Sequence, residues 1–166
     1  VIHSEQIESN EEIAFFTHSG DFYHYPAAAL PVGERIAIES LFGLSGGERI
    51  VAISSFNKRK AEKNIIFFTK NGFVKKSELS EYNLKRSGSL KAINLDSNDE
   101  IASILFIDNE DVGIMTEFGN FIRITTKDIR PIGRVAKGIR GIKLNDGDAV
   151  CCAYSIGSDA QYIISV

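Results

Sequence analysis

"FFTKNGFVKK", residues 67–76, decides how the chain is read. Phe67 and Phe68 continue an apolar run from Ile65 and Ile66 that is too short for a globular helix and is flanked by polar residues. Asn71-Gly72 offers the left-handed backbone angles of a two-residue hairpin turn, and the return strand ends in Lys75 and Lys76. One hairpin says little, but this one recurs. "FFTHSG" (15–20) and "IMTEFG" (114–119) align with "FFTKNG" without a gap. Thr17, Thr69 and Thr116 lie 52 and 47 residues apart, and "IIS" (163–165) opens a fourth copy 49 further on. A second landmark, "LSGGE" from Leu44, "LDSND" from Leu95 and "LNDGD" from Leu144, repeats at 51 and 49 residues. Two landmarks on one period describe an array of units near 50 residues.

Within each unit, runs of Val, Ile, Phe and Tyr broken by Gly, Asn, Asp and Ser predict short strands. Ile93 and Leu95 match Ile142 and Leu144, and Phe42 and Leu44, on one strand face, while Phe22, Val74 and Phe121 fill one core slot. "KSELSEYNLKRS" (76–87) could make a short helical turn, but its counterparts contain Pro and Gly, so a long loop over the outside of the unit is expected. Radially arranged four-stranded units cover most of their edges against neighbours. The expected fold is all-β and propeller-like, with about three four-stranded antiparallel blades near 12–60, 61–107 and 108–157. Residues 1–11 and 158–166 are expected to be strands of adjacent blades. The sequence starts without Met and stops in the apolar "QYIISV", so it reads as part of a longer protein.

The composition, 43% apolar and 25% charged over 166 residues, is that of an ordinary globular protein. No apolar run nears the roughly 20 residues that span a bilayer, and no signal peptide is visible, so a cytoplasmic protein without a membrane partner is expected. Cys151 and Cys152 are adjacent, and neighbours on a strand point to opposite faces, so they are expected to remain separate thiols. No CxxC or Cys/His cluster suggests zinc, and His3, His18 and His24 are scattered. No nucleophile-base pair recurs, so neither a small-molecule substrate nor a cofactor is expected for this chain.

The net charge of −3 hides a segregation of sign. From Gly119 to Lys143 seven basic residues face Asp128 alone, and from Lys70 to Lys91 six face Glu78 and Glu81. The position four after the hairpin glycine holds His24, Lys76 and Arg123. It shares a face with the core slot but lies at a strand end, where Lys76 is expected to reach water. The following loops add Lys85, Arg86, Arg130, Arg134 and Lys137, and Lys91 and Arg140 occupy matching places on the next strand. Cations at equivalent places of a repeated unit fall on one rim and suit a regularly spaced polyanion, duplex DNA being the obvious one. No base-reading element is present, so bending with little sequence preference is expected.

The runs "FFTKNGFVKKSELSEYNLKRSGSLKAINLDSNDE", "IMTEFGNFIRITTKDIRPIGRVAKGIRGIKLNDGD" and "FFTHSGDFYHYPAAALP…LFGLSGGERIVAI" resemble successive blades of the C-terminal domain of the bacterial gyrase A family, the A subunits of DNA gyrase. The resemblance implies a β-pinwheel, a disc of blades that exchange strands, with DNA wrapped round its basic rim. Carried over, the rim is Lys75, Lys76, Lys85, Arg86, Lys91, Arg123, Arg130, Arg134, Lys137 and Arg140. It also implies a parent type IIA topoisomerase that uses ATP and Mg, pairs with an ATPase subunit in a heterotetramer, and keeps its catalytic residues outside this non-catalytic chain. The glutamine-arginine-glycine box of gyrase A is absent, with "LKRSGSLK" (84–91) and "GRVAKGIRG" (133–141) as the nearest echoes, so the A subunit of topoisomerase IV is the alternative. The cation-poor "GDFYHYPAAAL" of the first unit implies no DNA contact there. An alternative of another class is a propeller-type protein-interaction module, which a duplex-DNA shift at two salt concentrations would separate.

Overall fold

The computed structural model describes residues 7–44, 46–55, 63–82 and 88–157. Three antiparallel hairpins set its plan: β1 (Glu12–Thr17) with β2 (Asp21–Pro26), β4 (Asn64–Thr69) with β5 (Phe73–Glu78), and β8 (Asp111–Thr116) with β9 (Phe121–Thr125). Each first strand pairs on its other side with a later strand of its unit, β3 (Ile50–Ser55), β7 (Ile101–Phe106) or β11 (Val150–Ile156). The fourth strand comes from the next unit. β6 (Leu90–Lys91) completes the order β3-β1-β2-β6, and β10 (Ile139–Arg140) completes β10-β5-β4-β7. The third sheet, β11-β8-β9, has three strands among the described residues. The first two blades are thus closed by exchange, each taking its fourth strand from the unit that follows. Of the end segments expected to be strands of adjacent blades, residues 1–6 and 158–166 lie outside the described residues, and residues 7–11 make a turn rather than a strand, with the Glu11 N–H on the Glu8 carbonyl at 3.0 Å.

The hairpin turn differs from the two-residue form expected. Among the described residues only glycines have positive φ, so Asn71 does not share the left-handed conformation with Gly72 (φ 84°). The loop is three residues, Lys70 to Gly72, closed by the Gly72 N–H on the Thr69 carbonyl at 3.0 Å. The Thr69 hydroxyl then accepts the Phe73 N–H at 3.2 Å. Thr17 and Thr116 repeat this on Asp21 and Asn120. A short side-chain acceptor is needed at that corner, which is why the threonine recurs.

The same glycine joins the units. The Gly72 carbonyl accepts the N–H groups of Gly141 and Ile142, and the Gly20 carbonyl accepts those of Ala92 and Ile93. Ile93 and Ile142 recur for this reason; they sit just after β6 and β10 rather than on a strand. A Cβ on Gly72 would lie 2.6 Å from the Ile142 carbonyl oxygen, whereas one on Gly119 (φ 80°) meets nothing within 4 Å. Gly119→Ala is therefore expected to cost only the left-handed strain of about 1–2 kcal/mol. Gly72→Ala should cost clearly more, because the docked segment must also move. Urea unfolding of the two variants checks this, and equal losses would show that the docking is loose.

β4 shows why its sequence is apolar at every step. Ile65 and Phe67 pack with Phe16, Phe22, Tyr82 and Ile93 toward the first blade, and Ile66 and Phe68 pack with Val112, Ile114 and Val150 toward the third. A sheet covered on both faces needs no polar alternation. Rings from three strands and a turn (Phe16, Phe22, Phe67 and Tyr82) lie 5.4–6.2 Å apart in the first cluster. The segment after each second strand is a 3-10 turn (Ala27–Ala29, Leu79–Tyr82, Thr126–Asp128), tighter than the open loop expected. The one α-helix among the described residues, α1 (Ile38–Phe42), lays Phe42 against Phe15, Tyr23 and Tyr25 on the outer face of the first blade.

Candidate nucleic-acid interface

β3, β7 and β11 adjoin one another at one edge of the three sheets, and β6 and β10 lie at the opposite, outer edge. The outer edge is where the expected cations must be sought.

Lys75 and Lys76 are not there. Lys75 has no solvent-exposed surface and Lys76 only 4%. The Lys75 Nζ contacts the Tyr82 hydroxyl at 3.0 Å, the Ala92 carbonyl at 2.8 Å and the Arg134 carbonyl, over the rings of Phe67 and Tyr82. The Lys76 Nζ donates to the carbonyls of Asp108 and Thr126, each at 3.1 Å. The expectation that these two charges reach the rim is corrected. The middle blade is covered on both faces, so consecutive β5 side chains point into one interface or the other and neither finds water. Burial pushes the Lys75 amine down to about 7, with Glu81 pulling it back up and the Arg134 charge adding to the fall. Burial also lowers Lys76, opposed by Asp108 and Glu110.

The remaining cations do gather. Residues 130–138, between the 3-10 turn of the third unit and β10, run along the outside of β5. The Ile132 N–H meets the Lys76 carbonyl at 2.9 Å, and the Ser77 hydroxyl donates to the Ile132 carbonyl at 2.7 Å. The segment reaches the first blade, where the Arg134 guanidinium donates to the Lys91 carbonyl and lies 5.9 Å from the Phe22 ring. The Arg134 N–H is held by the Glu81 carboxylate at 2.7 Å. Cations that the first unit's own hairpin and following loop lack are thus delivered to its edge by later units.

Equivalent positions on the two outer strands face different partners. Lys91 is opposite Asp21 and pairs with it at 2.9 Å, so its charge is spent locally. Arg140 is opposite Phe73, and its guanidinium lies 4.8 Å from that ring. The Lys137 Nζ lies 4.4 Å from the same ring and 2.5 Å from Asp96. Phe73 is therefore a platform that holds two cations at the edge. Sequence reasoning missed it; the signal was an aromatic where the other units carry Asp21 and Asn120.

Arg130 and Arg140 are exposed, with no carboxylate partner among the described residues. Arg123, on the third blade, is exposed and paired with Asp111 at 2.6 Å. The Thr125 hydroxyl and then Arg123 hold the Asp111 carboxyl below its ordinary range. Lys85 and Arg86 lie outside the described residues. Exposed pairs of this kind add little to stability, so a phosphate can replace the carboxylate at little cost.

The family model described as DNA gyrase C-terminal domain, beta-propeller, matches residues 63–108 and 111–150, more than half of the sequence. The chain belongs to that family. The DNA gyrase A subunit of Helicobacter pylori is 36% identical over 164 residues, covering 95% of this chain and 20% of the relative. The DNA gyrase A subunit of Campylobacter fetus is 31% identical, covering 95% and 23%. The chain thus spans about a fifth of the length of the curated relatives it matches. Among solved structures, the C-terminal domain of DNA topoisomerase IV superposes with a TM-score of 0.84 at 24% identity, covering 90% of this chain and 48% of that one. A DNA gyrase A C-terminal domain superposes at 0.69 and 21%, covering 90% and 49%. At these identities the likeness concerns the fold, and it is the β-pinwheel.

Proposed function

We propose that the chain is a DNA-wrapping, non-catalytic part of a type IIA topoisomerase, of the gyrase A kind rather than the topoisomerase IV kind. One observation carries it: Arg134, Lys137 and Arg140 are brought by strand exchange onto the outer edges of two consecutive blades, with Arg130 exposed in the same run. The names of the curated relatives favour gyrase over topoisomerase IV. In this reading ATP, Mg and the partner ATPase subunit belong to the rest of a heterotetramer, as do the strand-passing residues. The setting is the bacterial cytoplasm; no helix among the described residues is long and apolar enough to cross a membrane.

Contact is with phosphates, so affinity for duplex DNA should fall steeply with salt. Neutralising about four to six phosphates gives a slope of log K on log salt of about −4 to −5. Sequence preference should be slight. Titration of a fluorescent duplex at several salt concentrations checks both. A curve flat between low and moderate salt would favour a protein-interaction module instead.

A further inference from the structure

We propose that Cys151 and Cys152 form a vicinal dithiol site that chelates a single thiophilic atom, the ligand class being monosubstituted trivalent arsenicals. Regular strand alternation would point the two side chains to opposite faces, and the sequence alone leads to that expectation. The structure overturns it. On β11 the pairing with β8 shifts register between Val150 and Cys152, so Cys151 is the extra residue of a β-bulge. The bulge turns both thiols to one side, with the two Sγ atoms 3.4 Å apart.

This geometry belongs to the fold. β3 and β7 shift register at the same place, opposite Phe16/Thr17 and Phe68/Thr69. The bulged pairs there are Val51-Ala52 and Ala102-Ser103, so only the third unit fills the position with sulfur. Cys151 is exposed and Cys152 half-buried, and both line the open cleft between β3, β7 and β11. The Met115 carbonyl, 3.4 Å from the Cys151 Sγ, braces the outer thiol.

The spacing selects the ligand. A disulfide needs sulfurs about 2.05 Å apart and α-carbons usually about 4.4–6.8 Å apart, while neighbours on a trans chain are held near 3.8 Å. Closing the bond would therefore distort the strand. Trivalent arsenic is pyramidal, its lone pair narrowing the bond angles to about 90–100°, so two thiolates at about 2.3 Å from it lie about 3.3–3.5 Å apart, close to the observed separation. Zinc prefers four ligands, and among the described residues no group of three or more His, Cys, Asp or Glu is placed to hold a metal. An arsenical with one organic substituent needs only two sulfurs. In the reaction, R–As=O and two thiols give R–As(S)2 and one water. Two As–S bonds form, the As=O bond breaks, both thiol protons leave in the water, and arsenic stays trivalent.

Phenylarsine oxide is the probe, applied to the reduced full chain. The expected mass spectrum shows one phenylarsenic per chain with both titratable thiols lost. A small dithiol should strip the adduct, and 2-mercaptoethanol at equal thiol concentration should leave it. Cys151→Ser and Cys152→Ser each remove the chelate, so each should weaken binding by about a hundredfold or more. Circular dichroism of each variant checks its fold, and the reversal test on the unmodified chain stands without them. Absence of an adduct, equal stripping by monothiol and dithiol, or serine variants that bind like the parent would each overturn the proposal.

Discussion

Lys75→Ala is expected to destabilise the fold by about 3–5 kcal/mol at pH 8, a large share of the 5–15 kcal/mol that holds an ordinary domain together. The side chain is fully buried, so its removal leaves a cavity beside Phe67 and Tyr82. It also takes the Nζ from the Arg134 carbonyl, while the Ala92 carbonyl keeps the Tyr82 hydroxyl at 3.0 Å. Lys75 lies on β5, Ala92 follows β6, and Arg134 belongs to the third unit, so one amine ties the middle blade to the segments that cross it. Urea unfolding monitored by tyrosine fluorescence gives the loss. A change under 1 kcal/mol, the range of ordinary surface substitutions, would show that the amine is not the fastener described.

The same residue gives stability a pH dependence whose sign can be worked out. Its folded pKa is lowered to about 7 from an ordinary 10.5. Between these values the unfolded chain holds a proton that the folded chain has released, so this contribution to stability rises with pH, by up to about 1.4 kcal/mol per unit. Below pH 7 both states hold the proton and the contribution is flat at its minimum. Burial raises the Tyr82 phenol, so above pH 10 the unfolded phenol ionises first and stability falls again. Lys75→Met keeps the packing volume and removes the titration. The advantage of the parent over this variant should therefore grow between pH 7 and 10. A difference that stays constant across that window would mean that Lys75 folds in its ordinary ionisation state.

The outline of the molecule was legible because its signals are local and repeated. The Thr-x-x-Gly corners, the apolar runs and the 50-residue period each follow from a hairpin that must turn tightly and then be covered. What stayed hidden depends on which faces the neighbours cover. Lys75 and Lys76 carry the same signature as rim lysines, and only the packing of blades on both sides of β5 distinguishes them. Strand exchange likewise moves Arg134 to a blade whose own sequence has few cations. Phe121 shows the converse. It repeats the slot of Phe22 and Val74 yet is 46% exposed, because no outer strand lies on β9 among the described residues. The bulge beside Cys151 requires register, which composition does not carry.

The rim itself is tested by a charge set chosen from these corrections. Arg123, Arg130, Lys137 and Arg140 are solvent-accessible, and none uses its charged head to satisfy a buried group. Changing all four to Ala should reduce the magnitude of the salt slope on duplex DNA by about 3–4 units. Stability should shift by no more than about 0.5 kcal/mol per site. Lys76 is left out because its side chain is buried and donates to the Asp108 and Thr126 carbonyls, and Arg134 because its guanidinium caps the Lys91 carbonyl. The control set, Arg35, Arg49, Lys63 and Lys70, removes the same formal charge. Arg49 and Lys70 both pair with Glu100 beside the hairpin turn, away from the exchanged outer strands, so little charge is available there to a bound duplex. It should lower the slope by one unit or less. Ligation of short duplexes into circles reports bending, which should fall with the rim set and persist with the control. Equal losses from the two sets would mean that bulk charge holds the DNA, and a wrapped path along the outer edge would have to be abandoned.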